Sequence, residues 1–100
     1  MFVAHVSFSV AEQDRPGVLD VLLAEAEAVR AMEGCVAFLP FLDPTRANGV
    51  GVLHEWESPE HFAGYLASPQ FSGSGSIIRP LMTAPPVSRR FHAIPVEMAM

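Results

Sequence analysis

Residues 2–10 read Phe-Val-Ala-His-Val-Ser-Phe-Ser-Val, and this alternation constrains the fold more than any other feature of the chain. Phe2, Ala4, Val6, Phe8 and Val10 fall on one side of an extended backbone, and Val3, His5, Ser7 and Ser9 on the other. A period of two fits a strand and no helix. A single strand is not stable alone, so the segments that follow must supply both its neighbours and its cover.

Those segments are short and clearly punctuated. Asp14 stands two residues before Pro16, a pairing that suits a cap and a proline in the first helical turn. Val18, Leu19, Leu22, Leu23, Ala26, Val29 and Met32 then recur at helical spacing, with Glu25, Glu27 and Arg30 turned outward, up to a stop at Gly34. Cys35 to Leu42 reads as a second strand. Pro40 cannot donate to a ladder, so this strand belongs at an edge or contains a bulge. Asp43 to Gly49 is a turn, and Val50 to Glu57 is a third strand. Ser58-Pro59-Glu60 opens a second helix that ends near Ser68-Pro69. Glycines and prolines across residues 70–86 predict only a short, irregular helix around Ile77–Met82, and Val87 to Val96 predicts a fourth strand.

Strand, helix, strand, strand, helix, strand is the split βαβ, ferredoxin-like pattern of an α+β domain. Right-handed crossovers give the strand order 4-1-3-2 with all neighbours antiparallel. The length suits one domain over residues 1–100. Such a chain buries only about two-thirds of its unfolded surface, yet 50% of its residues are hydrophobic. The surplus predicts a partner surface, and a second copy of the chain is the simplest partner.

A net charge of −5 with no basic run excludes nucleic acid as an expected partner. The single cysteine, Cys35, excludes an internal disulfide and a thiolate metal site. No apolar run approaches the ~18 residues of a membrane span. The N-terminal segment lacks a basic n-region and a long apolar core, so a cytoplasmic protein with no membrane partner is expected.

The rarest side chains gather at one strand-to-helix junction, which holds the lone Trp56, the lone Tyr65, His54 and His61. Alternation puts His54 and Trp56 on the same strand face. His5, His54 and His92 come from three adjacent strands, which leaves open a three-histidine metal site if faces and registers match. Half-buried strand histidines bonded to backbone are the simpler reading, and no metal is expected. His61 and Tyr65 share a helix face at i, i+4, beside the apolar pair Phe62 and Leu66. An aromatic wall with an indole donor suits a flat aromatic ligand. The chain contains no nucleophile triad, phosphate-binding loop or spaced metal motif.

Met32-Glu33-Gly34-Cys35-Val36-Ala37-Phe38 resembles the EPGC-x-x-Y/F passage of the antibiotic biosynthesis monooxygenase (ABM) family. Residues 54–71, HEWESPEHFAGYLASPQF, resemble its E-x-W-x-D/S-x-x-x-F/L-x-x-H-x-x-S/T-x-x-F passage. The blocks occur in order, and the resemblance covers nearly the whole chain. It implies a ferredoxin-like domain that pairs with a second copy as a dimeric α/β barrel, with a pocket between sheet and helices. It also implies oxidation of a quinol, anthrone or other phenolic polycycle by dioxygen, with no metal, flavin or other cofactor.

The chain departs from that pattern at two positions. Tyr65 stands where the family helix usually carries His, and His54 where the strand usually carries Glu. The haem-degrading branch pairs a Trp with a helix His and a first-strand Asn. Here Trp56 matches, but Tyr65 and Val6 take the other two places, which disfavours haem degradation. The catalytic set expected from the sequence is therefore His54 or His5 as general base, with Trp56 N–H and Tyr65 O–H as donors to the substrate oxygen. Trp56, Phe62, Phe71 and His61 are expected to contact the substrate. Two other readings stay open: a non-catalytic ligand-binding or stress-response protein, and a haem binder with His61 or His54 as axial ligand.

Overall fold

A computed structural model describes residues 1–96 of the chain. Four strands, β1 (Phe2–Ser9), β2 (Cys35–Leu42), β3 (Gly49–Trp56) and β4 (Val87–His92), form one sheet in the order β2-β3-β1-β4. All three pairings are antiparallel. This is the expected 4-1-3-2 order seen from the other edge. Three helices, α1 (Arg15–Arg30), α2 (Pro59–Leu66) and α3 (Pro69–Ile78), cover one face.

The alternation of β1 becomes a division between the two faces. Phe2, Ala4, Phe8 and Val10 are buried under the helices, while His5 and Ser7 lie exposed on the other side. Val18, Leu22, Ala26 and Val29 of α1 complete the core with Phe38, Val50, Val52 and Trp56. Each residue adds roughly 25 cal/mol per Å² of apolar surface removed from water. Pro40 sits on the edge strand β2, as its missing N–H requires, and a bulge falls separately at Val36.

Gly34 has φ 81°, and a Cβ there would lie 2.2 Å from Cγ of His61. Only glycine serves both the left-handed backbone and this close approach.

Four local expectations need correction. Asp14 stands before α1 but makes no side-chain cap; residues Glu12–Asp14 form a 3-10 turn in helical geometry instead. Glu25 is turned inward against α3, as described below. The expected irregular helix around Ile77–Met82 is present as the 3-10 turn Arg79–Leu81, but it is preceded by an unexpected regular helix, α3. Ser68 caps it by accepting from Phe71 N, Pro69 takes the first position, and Ser74 and Ile78 bury one face. Burial and capping outweigh the roughly 1 kcal/mol cost of each of Gly73 and Gly75. Finally, β4 stops at His92 because its partner β1 begins at Phe2. A bond from Ala93 N to Met1 O, 2.7 Å, closes the ladder. The expected single domain also included residues 97–100, which lie outside the described residues.

Candidate functional site

A cavity of about 350 Å³ lies between the helix-facing side of the sheet and α2 and α3. Val6 and Phe8 of β1, Val52 and His54 of β3, and Ser88 and Arg90 of β4 form its floor. Phe62, Tyr65 and Leu66 of α2 and Phe71, Ser74 and Ile78 of α3 form its roof. The walls are mostly apolar. Their charged members are Arg79 and Arg90, and among the described residues no carboxylate lines the space. The charged side chains that an acidic chain places around this cavity are thus cations, among the described residues.

Register explains the polar row in the floor. Ala4 is the partner of His54 on one side and of Arg90 on the other. The three residues therefore point to the same face, with the small Ala4 between two polar side chains. Arg90 stacks over Phe62 at 4.9 Å and donates from Nε to Ser88 Oγ at 3.2 Å.

His54 is only 3% exposed and is caged by Phe38, Trp56, Phe62 and Tyr65, with ring centroids 5.4–6.3 Å away. Trp56 Nε1–H donates to His54 Nδ1 at 2.9 Å. An indole N–H can only donate, so Nδ1 must be the acceptor and the neutral ring carries its proton on Nε2. Burial, then the positive charge of Arg90, then His5, push the imidazole down to about 4 from an ordinary 6.5. At neutral pH His54 is therefore an uncharged donor. Among the described residues neither its Nε2 nor the Tyr65 hydroxyl has a hydrogen-bond partner, and neither is among the unpartnered atoms sealed from solvent. Burial, followed by the nearby Glu25 and Cys35, pushes the Tyr65 phenol well above its usual range, so it too remains a neutral donor.

Trp56 is fully buried behind His54 and forms no part of the cavity wall. Its N–H is spent on the imidazole, so the expected role of direct donor to a substrate is corrected. Trp56 orients the residue that faces the cavity instead, and its ring stacks on Tyr65 at 5.4 Å. His5 pairs with Leu53 and lies on the opposite, outer face, packed edge-on to Phe91. The sheet thus separates His5 from His54, which removes His5 from the site and breaks up the three-histidine arrangement. Among the described residues no group of three or more His, Cys, Asp or Glu is placed to hold a metal ion. His61 is occupied at the start of α2. Its Nδ1 is 2.7 Å from Ser58 Oγ, its backbone N–H donates to the same oxygen, and its ring covers Gly34. It does not line the cavity, whereas Phe62 and Phe71 do.

Three residues escaped the sequence reading. Arg90 was legible in part, because Val-Ser-Arg-Arg-Phe-His alternates, but its face depends on register with β1. Arg79 fell within the short helix expected around Ile77–Met82, but nothing in its spacing marked it as facing a cavity. Glu25 has the spacing of an outward residue, yet its Oε1 is sealed without a partner. Burial raises its pKa, and the neighbouring Ser74 hydroxyl offsets this in part.

No helix among the described residues is long and apolar enough to cross a membrane. A family model described as antibiotic biosynthesis monooxygenase matches residues 1–73. No curated protein matches the chain. Among solved structures, a Deinococcus radiodurans protein bearing the same family's name superposes with a TM-score of 0.88 at 19% identity, covering 100% of this chain and 99% of that one. Mycobacterium tuberculosis Rv0793 superposes with a TM-score of 0.80 at 18% identity, covering 100% of both chains. A Bacteroides thetaiotaomicron protein described as a possible oxidoreductase gives 0.81 at 21%, covering 90% of this chain and 94% of that one. At these identities the superpositions speak for the fold. The family match, which spans most of the chain and ends within α3, shows that this protein belongs to the antibiotic biosynthesis monooxygenase family.

Proposed function

We propose that the cavity oxidises a flat, weakly acidic aromatic substrate, an anthrone or quinol, with dioxygen and without a metal or flavin. The observation that carries this reading is an aromatic cavity whose polar groups include the donors Arg90, His54 Nε2–H and Tyr65 O–H, with no carboxylate among the described lining residues. Such a set favours the substrate's anion over its neutral form, and burial of His54 and Tyr65 strengthens their two contacts. The substrate proton leaves to solvent as the anion forms. His54 cannot take it near neutral pH, because its Nδ1 is engaged and its pKa lies at about 4.

For an anthrone the reaction balances without any other reductant. The carbanion form reduces dioxygen and joins it to give a hydroperoxide at the former CH2 carbon. Loss of water then leaves a carbonyl. One oxygen atom ends in the quinone and one in water, and the substrate supplies all the electrons. Oxygen uptake with a panel of anthrones and quinols should exceed the uncatalysed rate, at one dioxygen per quinone formed, and should survive exhaustive chelation. Tight binding of the same compounds with uptake no faster than background would favour the non-catalytic ligand-binding reading.

We also propose that the outer sheet face is covered by a second copy. Leu39, Phe41, Val87 and Phe91 are 39–55% exposed there, and the Phe41 ring lies flat across Gly51, where a Cβ would be 2.4 Å from its Cζ. A monomer with this face open would leave these large apolar side chains in water, interspersed with His5, Ser7 and Arg89. Sedimentation equilibrium at micromolar concentration should give a dimer; a stable folded monomer would overturn this assignment.

A further inference from the structure

An open groove of about 470 Å³ lies outside α3. It is not independent of the inner cavity, because Leu66, Phe71, Gly75 and Arg79 line both spaces. The partition between them is thin: the Phe71 ring, with the Arg79 guanidinium 5.6 Å from its centroid. Gly75 contributes no side chain, and a Cβ there would already touch Arg79 Nε at 3.5 Å. Arg79 is exposed, at the end of α3. Among the described residues the ion pairs are Arg46 with Asp43 and His61 with Glu33, so Arg79 meets no carboxylate of the protein. The remaining groove residues, Ser72, Ser76 and Pro80, carry no charge.

We infer that the ligand bound in the inner cavity carries a second anionic group, a carboxylate on a short arm, which passes the Phe71 edge and is held by Arg79 in the outer groove. This deepens the reading of the cavity as an aromatic site and rests on it. The two arginines then have separate tasks. Arg90, on the sheet, faces the ring oxygen that becomes negative during reaction. Arg79, on the helix side, recognises a charge already present, and its planar fork can grip a carboxylate with two parallel bonds. The substrate class narrows from flat phenolics to flat phenolics bearing a carboxylate.

The test is a binding measurement that needs no turnover. Anthraquinone-2-carboxylate and 2-hydroxymethylanthraquinone share the ring system and differ in the charged arm. Calorimetric titration of the wild-type protein should show about tenfold tighter binding of the carboxylate, the scale of one partly exposed charge-assisted contact. In Arg79→Gln the ratio of the two affinities should fall to within about twofold, and Arg79→Lys should retain part of the preference. In Arg90→Gln the ratio between the two compounds should persist. Equal binding of both compounds to the wild type would overturn the Arg79 subsite and leave the oxygenase reading standing. A preference that survives Arg79→Gln, or that Arg90→Gln removes equally, would also overturn it. Failure of both compounds to bind would overturn both this inference and the aromatic-site reading.

Discussion

Arg90→Gln is expected to lower kcat on an anthrone by about 10²- to 10³-fold, with a much smaller change in KM. The guanidinium lies on the cavity face of β4, stacked over Phe62 and in register, across Ala4, with His54. Negative charge builds on the substrate oxygen only as its proton leaves. An interaction that strengthens with that charge appears in kcat and not in ground-state binding. His54→Gln should act in the same direction, since it removes the N–H that Trp56 orients. A loss below about threefold for Arg90→Gln would remove it from this role.

The pH profile separates this mechanism from the one expected of a histidine base. A base near 6.5 would make kcat/KM rise through that pH. With His54 held down at about 4, no rise assignable to it should appear between pH 5 and 8. A step near 6.5 that disappears in His54→Gln would restore the general-base role.

Acid should destabilise the wild-type protein through the same residue. His54 is neutral and buried in the folded state, with a pKa of about 4, and takes its ordinary value near 6.5 when the chain unfolds. Between those two values the unfolded chain binds a proton that the folded chain does not. Stability is therefore fully present above 6.5, falls as pH drops through the window, and levels off for this group below about 4. The full difference amounts to about 3 kcal/mol, a large part of a small domain's stability. Glu25 works in the opposite direction, since burial raises its pKa and folding favours its protonated form. Comparing wild type with His54→Gln cancels that contribution. Urea unfolding from about pH 7 to about pH 4.5 should give a clearly shallower decline for the variant. Parallel declines would show that His54 is not the buried neutral group described here.

Local pattern was enough to predict most of the fold. The period of two in residues 2–10, the cap and proline of Ser58-Pro59, and the edge position of Pro40 each follow from backbone sterics and hydrogen bonding, which act within a few residues. The strand order follows from the handedness of crossovers. Local pattern failed where burial overrode propensity. Helix α3 forms through Gly73 and Gly75 because Ser74 and Ile78 have a surface to cover, and Glu25 turns inward because α3 lies over it.

The site was legible as a neighbourhood but not as a mechanism. His54, Tyr65, Phe62 and Phe71 were named from the sequence and do meet at one cavity. Which of them faces the cavity depends on contacts that no spacing encodes. Trp56 and His54 are two residues apart in any strand, yet only the buried packing around them turns that spacing into an N–H···N bond and leaves Nε2 as the outward donor. His5 and His54 look equivalent as strand histidines until register places them on opposite faces. Arg90 gains its place only when β4 pairs with β1 so that it flanks Ala4. The sequence by itself determined which segments become strands and helices and which apolar faces must be buried, because those preferences are local. Tertiary structure alone decided which polar atoms are paired and which remain open to the cavity, because a hydrogen bond depends on positions in space that distant segments set together.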